Sequence, residues 1–222
     1  MTLYLLPNLL AEDSEISLSI PSGVEEILYQ LDGFFVETPK EARKFLKRFD
    51  FERLRDKPME IVDRKLEDFS EHLSHLKGGE SWGLLSDSGL PCIADPGARL
   101  VLLAKNAGIS VVAIPGPSSI FMALQLSGLY SQKFTFYGYM PRRLDDSIRR
   151  DKNLQVYIQT PYKTEITMQN LVDVLDPRDM LCVALDIGSQ GQEVITDTVK
   201  GWKDRVFPNL YKRPGVFLIQ CR

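Results

Sequence analysis

Short apolar runs alternate with amphipathic stretches along most of this chain. Leu3–Leu6, Gly33–Glu37, Trp82–Leu85 and Ile109–Ile114 have the length and composition of buried strands. Between them, Val24–Leu31 reads as a helix capped by Ser22, and Thr38-Pro39 starts a second one that runs to about Phe49. Ala42, Phe45, Leu46 and Phe49 form the apolar face of the second helix, while Lys40, Arg43, Lys44, Lys47 and Arg48 cover the rest. Leu66, Phe69, Leu73 and Leu76 recur at helical spacing, which predicts a helix over 64–76 ended by Gly78-Gly79. Phe51–Asp63 carries no clear period. Asp95 suits a helix N-cap with Pro96 at the first helical position; Leu100, Leu103, Ala104 and Ala107 would line that helix's inner face, and Gly108 would stop it.

After Pro117 the pattern restarts: helix at Ile120–Leu129, strand at Lys133–Tyr139, polar loop over 140–153, strand at Leu154–Gln159, helix at Glu165–Leu175. A strand at Met180–Ile187, a short extended piece at Glu193–Thr196, a helix at Val199–Arg205 and a closing strand at Gly215–Cys221 complete it. Strand, helix, strand with polar turns at the strand exits is a βαβ unit of a parallel sheet. The natural division falls at Pro115–Pro117, giving α/β domains over 1–115 and 116–222 with a cleft expected between them.

Composition adds limits. With 222 residues, 44% hydrophobic and 26% charged, the chain can bury a large core. A net charge of -3 offers no bulk electrostatic argument for nucleic acid, so any such role must rest on local patches. No apolar run reaches membrane-span length, and the first residues read as a strand rather than a signal peptide. Cys92, Cys182 and Cys221 have neither metal nor disulfide spacing, which points to a reducing cytoplasm.

The candidate chemistry lies in the turns. Ser86–Pro91, Pro115–Ser119, Thr160–Tyr162 and Ile187–Gly191 all follow strands, where open α/β sheets bind ligands. Any one of them is an ordinary connection; four together suggest a site whose exposed backbone groups grip a small polar molecule. The chain has no GxGxxG and no GxxxxGK[ST], which argues against a nucleoside triphosphatase or a dinucleotide dehydrogenase. His72 and His75 sit three apart and are expected on a solvated helix face. Ser118-Ser119 lacks the GxSxG elbow of a serine hydrolase. Asp87 and Glu37, each at a strand exit, are the candidate proton acceptors, while Asp95 is accounted for as a helix cap. No metal is called for.

At these residues a resemblance enters. SDSGLPCIADPGARLV (86–101), VVAIPGPSS (111–119) and SGLYSQKFTFYGYMPRR (127–143) resemble the class III S-adenosylmethionine-dependent methyltransferases of the tetrapyrrole methylase fold. The chain is most similar to the branch that methylates a cytidine ribose 2′-oxygen in bacterial small-subunit ribosomal RNA. FFVETPKEARKFL (34–46) and Leu3–Pro7 fit that branch more loosely. The resemblance implies a homodimer of two-domain α/β subunits, with a mostly parallel N-terminal sheet and a mixed C-terminal one. S-adenosylmethionine would lie between the domains. By position it would be held by Pro7, Asp87, Ser88, Gly89, Leu90, Ile93 and Ala94, and by Ser118 and Ser119. The second domain would add Gln159, Tyr162, Leu185 and Ile187. Arg43, Arg142 and Arg143 are candidates for contact with substrate.

The chain departs from the family pattern at Asn8–Glu12, at Met59–Arg64 where a histidine-bearing segment is expected, and in ending at Arg222 without a further C-terminal segment. Three readings result. A methyltransferase of RNA would grip phosphates with the basic helix Lys40–Arg48 and the loop 142–152, and its binding would weaken with salt. A methyltransferase of a small, tetrapyrrole-like molecule would show a deep apolar cleft and salt-insensitive binding. A non-catalytic relative would bind the cofactor alone.

Overall fold

The computed structural model describes residues 1–142, 144, 148 and 153–222, which divide into two compact units, Met1–Ser118 and Ser119–Arg222. Unit 1 is built on five strands: β1 (Thr2–Leu6), β2 (Gly33–Val36), β3 (Met59–Ile61), β4 (Ser81–Leu85) and β5 (Ser110–Ala113). Their order is β3-β2-β4-β1-β5, and every pair is parallel. All five carboxyl ends therefore lie along one edge. The chain leaves β4, crosses β1 and returns as β5, so the β4, β1 and β5 exits are neighbours there.

The strands are apolar on both faces because helices cover both, as parallel sheets require. Phe34, Val36 and Leu85 point into one core with Leu28, Phe45 and Leu46 from α2 (Val24–Gln30) and α3 (Pro39–Leu46). Phe35, Trp82 and Leu84 point into the other, with Leu76, Leu100 and Ala104 from α4 (Ser70–Lys77) and α5 (Ala98–Asn106). A short helix α1 (Ile16–Ser19) lies in the polar segment after β1.

Unit 2 holds β6 (Phe134–Tyr139), β7 (Leu154–Gln159), β8 (Met180–Leu185), β9 (Glu193–Thr198) and β10 (Gly215–Gln220) in the order β6-β7-β10-β8-β9. Only the β6–β7 pair is parallel, so this sheet is mixed. Tyr157, Val183, Leu185 and Phe217 face Met168 and Leu171 of α7 (Thr164–Val174) and Trp202 of α8 (Val199–Asp204). The helix α6 (Ser119–Leu126) packs on β10.

Several local expectations are corrected. Ser22 caps nothing: α2 opens from Gly23 without a side-chain cap. The period over 64–76 is helical only from Ser70, where the Asp68 carboxylate accepts the Ser70 N–H at 2.8 Å and closes the entry turn. Asp95 and Pro96 do not begin α5; its N-cap is Gly97, in the left-handed region at φ 110°, and Ala107 on its expected inner face is exposed. Within Phe51–Asp63 the chain makes a single 3₁₀ turn (Phe51–Arg53) and then β3.

Candidate active site

In unit 1 the expected ligand turns converge. The Asn8 N–H donates to the Gly89 carbonyl at 2.8 Å, and the buried Asn8 amide donates to the carbonyls of Ser86 (2.8 Å) and Asp87 (3.1 Å). Its oxygen accepts the Leu9 N–H at 2.7 Å. A buried amide with this many partners fixes the β1 exit to the β4 exit. The β5 exit closes on the same point. A Cβ on Gly116 would lie 2.1 Å from Pro7 Cβ, and one on Gly89 3.3 Å from the Pro117 carbonyl oxygen. Only glycine permits both approaches, and Gly89 also takes φ +67°.

Beside this junction stand three carboxylates. The Asp87 carboxylate accepts the Thr38 N–H at 3.0 Å and the Thr38 hydroxyl at 2.7 Å, so it holds the start of α3 against the β4 turn. Thr38 does not cap its own helix through its side chain. Glu37 leaves β2 next to it; burial, then the Asp87 charge, pushes its carboxyl above the usual range. Asp95 is pushed up to about 6, first by burial and then by the Glu37 charge, against the opposing pull of Arg64. Asp95 is thus part of this acidic group rather than a helix cap. Burial pushes the Cys92 thiol up to about 11, which keeps it neutral at physiological pH. The segment that carries Asp95 turns sharply: Cys92 (φ 71°) and Ala94 (φ 63°) are both left-handed, and the Ala94 carbonyl accepts from the Arg64 guanidinium at 2.6 Å. Left-handed non-glycine residues cost about 1 kcal/mol or more each and persist where the surroundings over-determine them.

These residues suit a sulfonium cofactor. The glycines pack the three turns closely against Pro7, Leu10 and Pro117, and the carboxylates beside them favour a positive centre. Of the residues expected to hold it, Pro7, Asp87, Gly89 and Leu90 are gathered at the junction, since Leu90 Cδ2 lies 3.4 Å from the Gly116 Cβ position. Ile93 is exposed on the strained segment. Ser118 ends unit 1, and Ser119 opens α6 of unit 2.

In unit 2, Gln159 and Leu185 are both register partners of Gly215, so the ends of β7 and β8 flank the start of β10. The Gln159 amide is engaged: it donates to Thr167 at 2.9 Å and accepts the Thr160 N–H at 2.9 Å. Leu185 and Ile187 are buried, while Tyr162 is 81% exposed. A larger cavity of about 660 Å³ opens elsewhere in this unit, beside Glu165, Asp173 and Tyr211.

The basic candidates separate. Arg43 is exposed and outside the cavity that α3 forms with the segment after β1; Lys44, Lys47 and Arg48 line it instead. Arg142 is exposed, whereas Arg143, Arg149, Arg150 and Lys152 lie outside the described residues. His72 and His75 are not on a solvated face. His72 is buried with its Nε2 3.1 Å from the Ile61 carbonyl, and His75 sits between Glu60 (2.5 Å) and Glu80 (2.9 Å). Asn8 is the site residue that sequence reasoning passed over, and Asp95, which could pair with Asp87, reads in the sequence as a helix cap instead. Asn8 carried a usable signal, a lone amide directly after a strand-ending proline.

Comparison with known proteins gives a family match. The family described as tetrapyrrole (corrin/porphyrin) methylases matches residues 22–201. A protein of Xylella fastidiosa named ribosomal RNA small subunit methyltransferase I is 29% identical over 205 residues, covering 88% of this chain and 73% of that protein. Its namesake in Vibrio cholerae is 30% identical over 182 residues, covering 78% of this chain and 60% of its own length. The chain thus spans between about three fifths and three quarters of these relatives. Among solved structures, the uroporphyrin-III-C-methyltransferase of Thermus thermophilus superposes with a TM-score of 0.61 over 99% of this chain and 94% of its own, at 16% identity. That likeness is one of fold.

Proposed function

The chain belongs to the tetrapyrrole (corrin/porphyrin) methylase family, and from that premise we propose that it transfers a methyl group from S-adenosylmethionine to a ribose 2′-oxygen of small-subunit ribosomal RNA. The observation that carries the proposal is the joining of the β1, β4 and β5 exits around Asn8, Gly89 and Gly116, with Glu37, Asp87 and Asp95 beside them. The names of the relatives support the substrate.

When bound, the cofactor supplies an activated methyl group on a positively charged sulfur. The residues of this chain would hold and orient it. Pro7, the 87–90 turn, Ile93, Ala94 and Ser118 form the grip in unit 1; Ser119, Gln159, Tyr162, Leu185 and Ile187 are the contribution assigned to unit 2. In-line transfer asks the protein mainly for position. A ribose hydroxyl also needs a proton acceptor, and a carboxylate whose pKa is lifted toward neutrality is a stronger base than an ordinary one. Glu37 and Asp87 are the assigned acceptors; burial lifts Glu37 in this way, and Asp95 beside it likewise.

Two further expectations belong to the same reading. No helix among the described residues is long and apolar enough to cross a membrane, and the protein would work where ribosomes are, in the cytoplasm. It would be a homodimer: β5 is an edge strand with Val112 37% exposed, and unit 2 exposes Phe121, Leu126 and Phe134.

The test is methyl transfer from labelled S-adenosylmethionine into small ribosomal subunits that lack the modification, followed by digestion to nucleosides. Label in a 2′-O-methylated nucleoside is expected. Cofactor binding with no transfer to RNA, or transfer only to a tetrapyrrole, would overturn the substrate assignment.

A further inference from the structure

Unit 1 contains a cavity of about 430 Å³ between the segment after β1 and helix α3. Leu9, Leu10 and Phe45 give it an apolar lining, and Asp87 borders it as well. Lys44 of α3 and Lys47 and Arg48 just beyond that helix also line it. Lys44 bridges Glu12 and Glu41, each at 3.0 Å, with the Glu12 side chain 81% exposed. Arg48 donates to the carbonyls of Glu12 (3.0 Å) and Ser14 (3.3 Å) and so ties the loop down. Lys47 is exposed, 5.7 Å from the centre of the Phe51 ring.

We propose that this cavity receives one nucleotide of the RNA substrate, with its base against Leu9 and Leu10 and its phosphate on Lys44 and Lys47. The inference rests on the ribosomal RNA reading above and assigns it a place of contact. The volume lies in the range of small-ligand sites, about 300–1,000 Å³. The lining joins apolar Leu9, Leu10 and Phe45 to Lys44, Lys47 and Arg48, with Glu12 and Glu41 paired to Lys44. Asp87, which borders the cofactor junction, also lines the cavity, so a ribose seated here lies near the expected methyl donor. Glu12 holds Lys44 in advance and is exposed enough to leave; an incoming phosphate takes its place. Glu12 therefore acts as a competitor for the site. Arg48 spends its donors on carbonyls and serves to position the loop.

The experiment uses the full chain and a fluorescent ten-nucleotide single-stranded RNA with a central cytidine, titrated at several salt concentrations. The double variant Lys44→Gln/Lys47→Gln is expected to bind about tenfold more weakly and to lose about 1.4 from its log–log salt slope, since each single-strand phosphate contact contributes about 0.7. Glu12→Gln is expected to bind several-fold tighter than the parent, a gain that a merely structural residue does not produce. Lys105→Gln, on the exposed side of α5, serves as the control and leaves the slope unchanged. All variants should bind S-adenosylmethionine like the parent in calorimetry, which also establishes that they fold. Wild-type RNA affinity and slope in the double variant, with methyl transfer to ribosomal RNA intact, overturn the cavity assignment and leave the functional reading standing. Dependence on Lys44 and Lys47 without methyl transfer by the parent keeps the nucleotide site and overturns the functional reading.

Discussion

The exit of β4 in unit 1 and the exit of β8 in unit 2 both carry carboxylates, and their charges are finished in opposite ways. At the β8 exit, Asp186 turns through the left-handed region (φ 48°) and is held by Arg213. The same guanidinium pairs with Glu193 at 2.7 Å and donates to the carbonyls of Asn209 (3.0 Å) and Gly191 (2.8 Å). At the β4 exit, Glu37, Asp87 and Asp95 share one neighbourhood, and burial lifts Glu37 and Asp95 against the weaker pull of Arg64. One exit is neutralised and closed. The other keeps charge in a half-buried place at a cost in stability, which is how sites for chemistry are commonly arranged. The contrast favours the proposed site in unit 1.

Glycine at the junction is the sharpest way to break that contrast. Gly116→Ala places a methyl 2.1 Å from Pro7 Cβ and must push the β1 and β5 exits apart. The dissociation constant for S-adenosylmethionine should rise by about tenfold or more, with a loss of about 1–3 kcal/mol of stability from overpacking. Gly191→Ala, at the other exit, meets nothing closer than 3.6 Å and should leave cofactor binding unchanged. Calorimetry on both variants reads the difference. Equal affinities would mean that the junction does not shape the cofactor site.

Next in size is Arg213→Ala. Its side chain is 16% exposed and satisfies two carboxylates. Removing it leaves Asp186 uncompensated and should cost about 2 kcal/mol. Hydrogen exchange should show faster opening of β8 and β10, with β1 and β4 unaffected. Uniform loss of protection in both units would show that the closed exit is not local to unit 2.

Asp95→Asn should act in the opposite sense. A carboxyl whose folded pKa is about 6 binds its proton more tightly folded than unfolded. Wild-type stability therefore falls as pH rises from about 4 to about 6 and then stays lower. Asparagine escapes that penalty, so the variant should be more stable than the parent above pH 6, and the advantage should vanish below pH 4. The group is half-exposed and partly screened, so about 1 kcal/mol is expected. Urea unfolding at pH 4 and pH 7.5 tests it. A variant less stable than the parent at pH 7.5 would show Asp95 to be a structural residue.

The apolar runs made most of this legible from sequence. β1, β4, β7, β8 and β10 were evident because each is buried on both faces. β3 was not: it is three residues long, pairs only with β2 and leaves Ile61 exposed. Missing β3 led to misreading α4, because the residues that cover His72 and His75 are Glu60 and Ile61 of that strand. Asp95-Pro96 carried a sound helix-start signal. The chain uses Asp95 beside Glu37 instead, and Gly97 takes up the turn, so tertiary context overrode a local rule. The position of Asn8 after Pro7 was a local signal, but its partners, Ser86 and Asp87, are remote in sequence and could not be read from it.

His75 offers the smallest effect and shows both ways of finishing a charge in one residue, according to its protonation. It is flanked by Glu60 and Glu80, and Trp82 donates to the same Glu80 oxygen at 2.7 Å. Burial lowers the imidazole pKa, but the hydrogen bonds and charges of the two glutamates outweigh it, and the net shift is upward from 6.5. Protonated, the ring donates from both nitrogens and neutralises its carboxylates as Arg213 does. Neutral, it can donate from only one nitrogen and no longer offsets the charge of the two glutamates. Its stabilisation is therefore complete below about pH 6.5 and is lost as pH rises through the raised folded value. The side chain is 29% exposed, so the swing should stay under about 1 kcal/mol. Wild-type protein should lose stability between pH 6 and pH 8 by more than His75→Gln does, and the His75 ring should titrate above 6.5 in NMR. A ring that titrates below 6.5 would mean that desolvation dominates at this cluster, and the two glutamates would then be a second charged site rather than a closed one.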